Sequence, residues 1–137
     1  MNNEPFLDFE PRDTIIVGVI RATSVLDAVN VNKFGEMVLA YVKAHPGLKL
    51  LLDFEHVDYL SSAVLSELLR INEAIKDGKG SLRLCGLNKD IRRVFEITNL
   101  DKVFVIYDNV ENGLKRFERS LQIAAEDDSW SQFDREN

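Results

Sequence analysis

LKLLLDFEHVDYLSSAVLSELLRI, residues 48–71, is the stretch whose reading decides the fold. Leu48, Leu50, Leu51, Leu52 and Phe54 form an apolar run of strand length, unbroken enough for a strand covered on both faces. Val64, Leu65, Leu68, Leu69, Asn72 and Ile75 then recur at helical spacing. The short polar loop between them ends in Ser61 and Ser62, which the change of period places at a helix N-terminus. Backbone N–H groups there have no intrahelical partner, and the aligned peptide dipoles favour negative charge. Ser61 and Ser62 are therefore the first candidates for function.

Upstream, Phe6, Leu7 and Phe9 read as a short strand, the PRD at Pro11 to Asp13 as a turn, and Thr14 to Ile20 as a second, β-branched strand. So few residues separate the two that they should pair as an antiparallel hairpin. Gly18 inside the second strand marks a mild defect or a close approach. Arg21 to Asn32 reads as a loop leading to Asn32 as helix cap. Phe34, Met37, Val38, Tyr41 and Val42 then share a helix face that stops at His45, Pro46 and Gly47. Downstream, the central helix should end near Asp77 and Gly78, followed by a strand at Ser81 to Cys85. Asn88 can cap a third helix with Ile91, Val94, Phe95 and Thr98 on one side. Val103 to Tyr107 is a last strand, and Asp108 with Glu111 has capping-box spacing before a helix faced by Val110, Leu114, Phe117 and Leu121.

The order β-β-α-β-α-β-α-β-α predicts one α/β domain with a five-stranded mixed sheet and four helices. Helical patterns between successive strands demand crossovers, so four strands should be parallel. Residues 1–125 are expected to form this domain and the acidic residues 126–137 a frayed tail, in which Trp130 and Phe133 could dock locally if the last helix continues.

A chain of 137 residues can bury a useful core without staples. Its single cysteine, Cys85, excludes an internal disulfide and a thiolate metal cluster, and its apolar flanks make it core filler. MNNEPFLDFEPRD lacks a positive leader region, and no segment has the roughly 18 apolar residues of a membrane span. A soluble, reducing and hence cytoplasmic setting is expected, with no membrane partner. The net charge of −6, much of it in residues 126–137, argues against direct nucleic-acid binding.

No GxGxxG follows a strand and no P-loop motif occurs, so no nucleotide cofactor is supported. His45 and His56 lie on different connections without ligand spacing and read as ordinary surface residues, so no metal is expected. Asp53, Glu55 and Asp58 crowd the carboxyl end of the central strand, where parallel sheets place their ligand sites. A small α/β enzyme using Asp53 and Asp58 as acid and base is one reading. The plainer one has Asp53 accepting backbone N–H bonds from the following loop, with no catalytic residue at all. For Ser61 and Ser62 the plain reading is capping, worth ~1 kcal/mol. The functional reading is reversible phosphorylation, because close to two negative charges would sit at the positive end of the helix dipole.

LLLDFEHVDYLSSAVLSELL resembles the core signature of the STAS domain, the anti-anti-sigma fold: a hydrophobic strand ending in Asp, a short loop with a buried hydrophobic, then Asp-Ser-Ser-Gly opening a Leu-rich helix. Gly86 to Phe117 resembles the second half of that family, with its Leu-Asp turn at Leu100 and Asp101. The resemblance implies that Asp53 is the strand-end Asp and Ser62 the serine phosphorylated in switch-type members. It also implies a partner surface of Asp58, Tyr59, Leu60, Ser61, Ala63 and Ser66, with Asp27 the nearest match to an acidic residue in the loop after the second strand. Leu60 stands where the family has Asp and Ala63 where it has Gly. The first removes a carboxylate beside the serine; the second removes backbone freedom.

What the resemblance implies is a binding module and not an enzyme. It would be an anti-sigma factor antagonist that binds an anti-sigma factor of the serine-kinase type and is released when Ser62 is phosphorylated, with weak homodimerisation as an accessory expectation. The alternative within the same family is a STAS scaffold or signalling domain that is never phosphorylated.

Overall fold

The structure, a computed structural model, describes residues 7–21 and 28–136. β1 (Leu7–Arg12) and β2 (Ile15–Ile20) form the expected antiparallel hairpin, with Leu7 opposite Ile20 and Arg12 opposite Ile15. The turn is shifted: it is made by Asp13 and Thr14, and Asp13 takes a φ of 57°, a left-handed conformation that Asp tolerates better than most residues. Pro11 therefore lies in β1 and not in the turn, which costs little because β1 is an edge strand.

β3 (Lys49–Asp53) is parallel to β2 on one side and to β4 (Ser81–Cys85) on the other; β5 (Ile106–Tyr107) joins β4, also in parallel. The order across the five-stranded sheet is β1-β2-β3-β4-β5. Strands that follow one another in space as in sequence, joined by right-handed crossovers, place every crossover helix on the same face. α1 (Ala28–Ala44), α2 (Ser62–Asp77) and α3 (Lys89–Ile97) accordingly share one core with Leu7, Ile20, Leu50, Leu52, Leu82 and Leu84. The opposite face belongs to α4 (Val110–Glu136), which runs on through the acidic segment. Its Phe117 packs in a second core with Ile15, Val17, Val19, Leu51, Cys85 and Tyr107, flanked by Leu114 and Leu121. Leu50, Leu51 and Leu52 alternate between the two cores, and all three are fully buried.

Five local expectations are corrected. α1 begins at Ala28, so Asn32 is inside the helix and is not its cap. The apolar period starts with Val31, which continues through Phe34, Val38 and Val42, and that burial outweighs the modest helix propensity of Asn. On α2, Ile71 and not Leu69 completes the buried face; on α3, only Ile91 and Phe95 are buried, with Val94 and Thr98 exposed. The last strand shrinks from five residues to Ile106 and Tyr107, because Leu100–Lys102 forms a single 3-10 turn and Phe104 turns inward, edge-on to Phe95 at 6.1 Å. The cap of α4 is Asn109, whose Oδ1 accepts from the Asn112 N–H at 2.8 Å, so Asp108 and Glu111 do not form the capping box. Gly18 is a close approach: a Cβ there would lie 2.8 Å from Leu52 Cδ2.

Phe117 is fully buried and its ring also carries the Arg83 guanidinium at 5.0 Å. Phe117→Ala should cost about 3 kcal/mol, read as a lowered urea midpoint at unchanged slope. An unchanged midpoint would show that α4 does not hold the second face.

Candidate functional site at the start of the central helix

β3 ends at Asp53, and the chain must then climb from the sheet to α2 in eight residues. Two apolar pegs and a set of hydrogen bonds fix this loop. Val57 is buried and Leu60 packs half-buried against the main core. The Phe54 N–H donates to the Cys85 carbonyl at 2.9 Å, and the Val57 N–H to Phe54 O at 3.0 Å. Asn88 does two jobs from α3: its Oδ1 caps that helix by accepting from Ile91 N–H at 2.9 Å, while its Nδ2 donates to the Asp58 carbonyl at 2.8 Å. The sequence exposes the first role through spacing; the second, between residues 30 apart, has no local signal.

Asp53 is buried, 4% exposed, and so is no part of the surface. Its Oδ1 accepts from the Glu55 N–H at 3.0 Å, the structural role expected for it. Burial holds its carboxyl above the ordinary carboxylate value; the Glu55 N–H works the other way, and the Glu55 carboxylate adds to the rise. Asp58 is exposed and is not among the charges acting on Asp53, so the structure does not bring the two together as an acid–base pair. Cys85 Sγ lies 4.0 Å from the same oxygen, and burial first, then the Asp53 charge, pushes its thiol pKa upward, which keeps it unreactive. Gly86, at φ 74°, closes the back of the latch: a Cβ there would come within 2.8 Å of Asp53 Oδ1.

Above the latch stand the two serines. Ser61 is the N-cap by position, with φ −84° and ψ 163°, yet its side chain makes no capping bond, and its Oγ is buried without a partner among the described residues. Ser62 is the first residue of α2 and is exposed, as are Ala63 and, one turn on, Ser66. Tyr59 is 58% exposed and Asp58 is exposed, so Asp58, Tyr59, Ser62, Ala63 and Ser66 share the solvent-facing rim while Leu60 and Ser61 sit half inside it. Asp27 lies outside the described residues. The rim thus offers a hydroxyl at a helix start, next to unsatisfied main-chain N–H groups, on a surface with an exposed aromatic ring.

These features define an α/β domain whose distinctive surface is a serine-bearing helix start set on a rigid loop. The chain belongs to the STAS domain family, whose model matches residues 8–113. It is 32% identical over 73 residues to the provisionally named anti-sigma factor antagonist BtrV of Bordetella bronchiseptica, covering 53% of this chain and 63% of that protein. The chain therefore spans less than two thirds of the length of the curated relatives it matches. In fold it resembles the anti-sigma-factor antagonist (STAS) domain protein of Planctomyces limnophilus, with a TM-score of 0.75 at 22% identity over 82% of this chain and 97% of that one. It also resembles the phosphorylated form of the Bacillus cell fate determinant SpoIIAA, with a TM-score of 0.60 at 18% identity over 80% and 97%. No helix among the described residues is long and apolar enough to cross a membrane.

Because its buried form favours the proton, Asp53 lends full stability below the ordinary value of 3.8, and that stability is lost as pH rises through its raised value. Asp53→Asn keeps an Oδ1 acceptor and has no charge to bury. Its urea midpoint should therefore gain on wild type as pH rises from about 4 to about 7; a constant difference would show that Asp53 does not titrate there. Ser61→Ala should stay within about 0.5 kcal/mol of wild type in the same assay, since no bond is lost, whereas removal of a bonded cap costs ~1 kcal/mol.

Proposed function

We propose that this protein is an anti-sigma factor antagonist whose docking surface is the loop from Asp58 to Ser61 with the first turn and a half of α2. Its partner in this reading is an anti-sigma factor of the serine-kinase type. The unmodified surface packs against that partner, and phosphorylation of Ser62 ends the contact by adding close to two negative charges within it. The observation that carries the reading is the unequal placement of the two serines. The Ser62 hydroxyl is exposed at the first helical residue, where a kinase can reach it, whereas Ser61 has its Oγ buried. A phosphoryl group at Ser62 meets the positive end of the α2 dipole and first-turn N–H groups, so the fold tolerates what the interface does not. The provisionally named anti-sigma factor antagonist BtrV among the relatives and the phosphorylated form of SpoIIAA among the structural neighbours support the same direction. The protein has no catalytic part in this scheme; it is substrate and ligand of its partner.

A second reading, a STAS binding domain that is never phosphorylated, is favoured by one observation. Leu60 is packed against the main core, so the residue before the serines offers no carboxylate to a phosphoryl-transfer site.

Ser62→Asp should fold as wild type does, because a carboxylate at that end is worth ~0.3–1 kcal/mol in its favour, and should bind the purified anti-sigma partner at least ~10-fold more weakly. Ser62→Ala should keep binding and abolish phosphate incorporation on incubation with the partner and ATP, while Ser61→Ala should still be modified. Absence of incorporation at either serine with an active kinase selects the second reading. Equal affinity of wild type and Ser62→Asp removes the switch.

A further inference from the structure

β5 meets β4 only at Leu84–Ile106 and Cys85–Tyr107, so toward Ser81 the two chains splay apart. The splay leaves a cleft of about 190 Å³ beneath the C-terminal half of α2. In a parallel ladder, alternate residues turn both N–H and C=O to the same neighbour. Ser81 N–H donates to Leu48 O on the β3 side and Leu84 N–H to Val105 O on the β5 side, so Leu82 turns its main-chain groups toward β5, where no strand residue meets it. Asn72 lines the cleft, is only 7% exposed, and its carboxamide forms no hydrogen bond among the described residues. Its Oδ1 and Nδ2 are not sealed from solvent, so the amide opens to the cleft, where a polar guest can meet it.

The lining also sets the chemistry of that guest. Lys76, one turn beyond Asn72 on α2, has no carboxylate at ion-pair distance among the described residues. The other cation of the lining, Arg83, is engaged on the opposite sheet face over the Phe117 ring and with the Tyr107 hydroxyl at 3.1 Å. No lining residue is acidic, and Leu82, Val103 and Val105 supply apolar wall. The volume matches about six waters at ~30 Å³ each and falls below the roughly 300–1,000 Å³ of cofactor-sized sites. We infer that the cleft binds a small carboxylate on a short aliphatic stem. Lys76 and the Asn72 Nδ2 hold the carboxylate, the Leu82 N–H adds a donor, and the stem lies against Val103 and Val105.

Sodium butyrate is the probe, titrated into the isotope-labelled full chain with amide chemical shifts as readout, against sodium chloride at equal ionic strength and butyramide as the uncharged analogue. Saturable shifts are expected at Asn72, Lys76, Leu82, Val103 and Val105, with half-saturation on the order of millimolar for so few ligand atoms. Butyramide should bind at least ~10-fold more weakly, as should butyrate to Asn72→Leu and to Lys76→Met. Asn72→Leu loses no hydrogen bond among the described residues and keeps a side chain of similar size, and Lys76 is exposed, so both variants should remain folded. Equal shifts with chloride, saturation at other residues, butyramide binding as tight as butyrate, or full binding by both variants would each overturn the assignment.

Discussion

Burial of β3 on both faces is the constraint on which the rest of the structure depends. Leu50 and Leu52 fill one core and Leu51 the other, and none of the three touches solvent. A strand so placed needs a neighbour on each side, and here both neighbours run parallel to it. Parallel neighbours cannot be joined by tight turns, so helices must carry the chain back. With the strands in sequential order, right-handed crossovers put α1, α2 and α3 on one side and leave the other to a single element. That element is α4, whose Phe117 covers a face no other helix can reach.

The same strand fixes the site. Its last residue, Asp53, is drawn into the interior by the register of the sheet and holds the loop through the Glu55 N–H. Val57 and Leu60 pin that loop from below and Asn88 holds it from the side, so the start of α2 is presented in one orientation. A helix start held in this way suits the docking surface proposed above, because charge added at Ser62 would fall on a surface fixed by the loop beneath it. Burying the Asp53 carboxylate opposes stability near neutral pH, and the two large cores offset it.

α2 carries different chemistry at its two ends. At the N-terminus the serine rim meets solvent beside Tyr59; ten residues on, about 15 Å along the axis, Asn72 faces the gap left by a shortened β5. Both features arise where the regular pattern gives out, at a loop that replaces a strand extension and at an edge strand of two residues. The core between them is apolar and without chemistry.

The sequence by itself determined the element order, the central position of β3, the limits of α2 and β4, the cap at Asn88 and the helix-start location of Ser61 and Ser62. Each of these rests on short-range signals: an unbroken apolar run, a change of period, a cap spaced from its helix. It misplaced what long-range packing decides. Asn32 is helical because Val31 has a core to enter, Leu69 is exposed because Ile71 points at the sheet, and β5 is short because Phe104 turns in toward Phe95. The difference between the two serines also belongs to the tertiary structure. The family resemblance singles out Ser62, but composition and spacing treat the two serines alike; only the packing of Leu60 against the core and the Asn88 hold on the loop leave one hydroxyl buried and the other exposed.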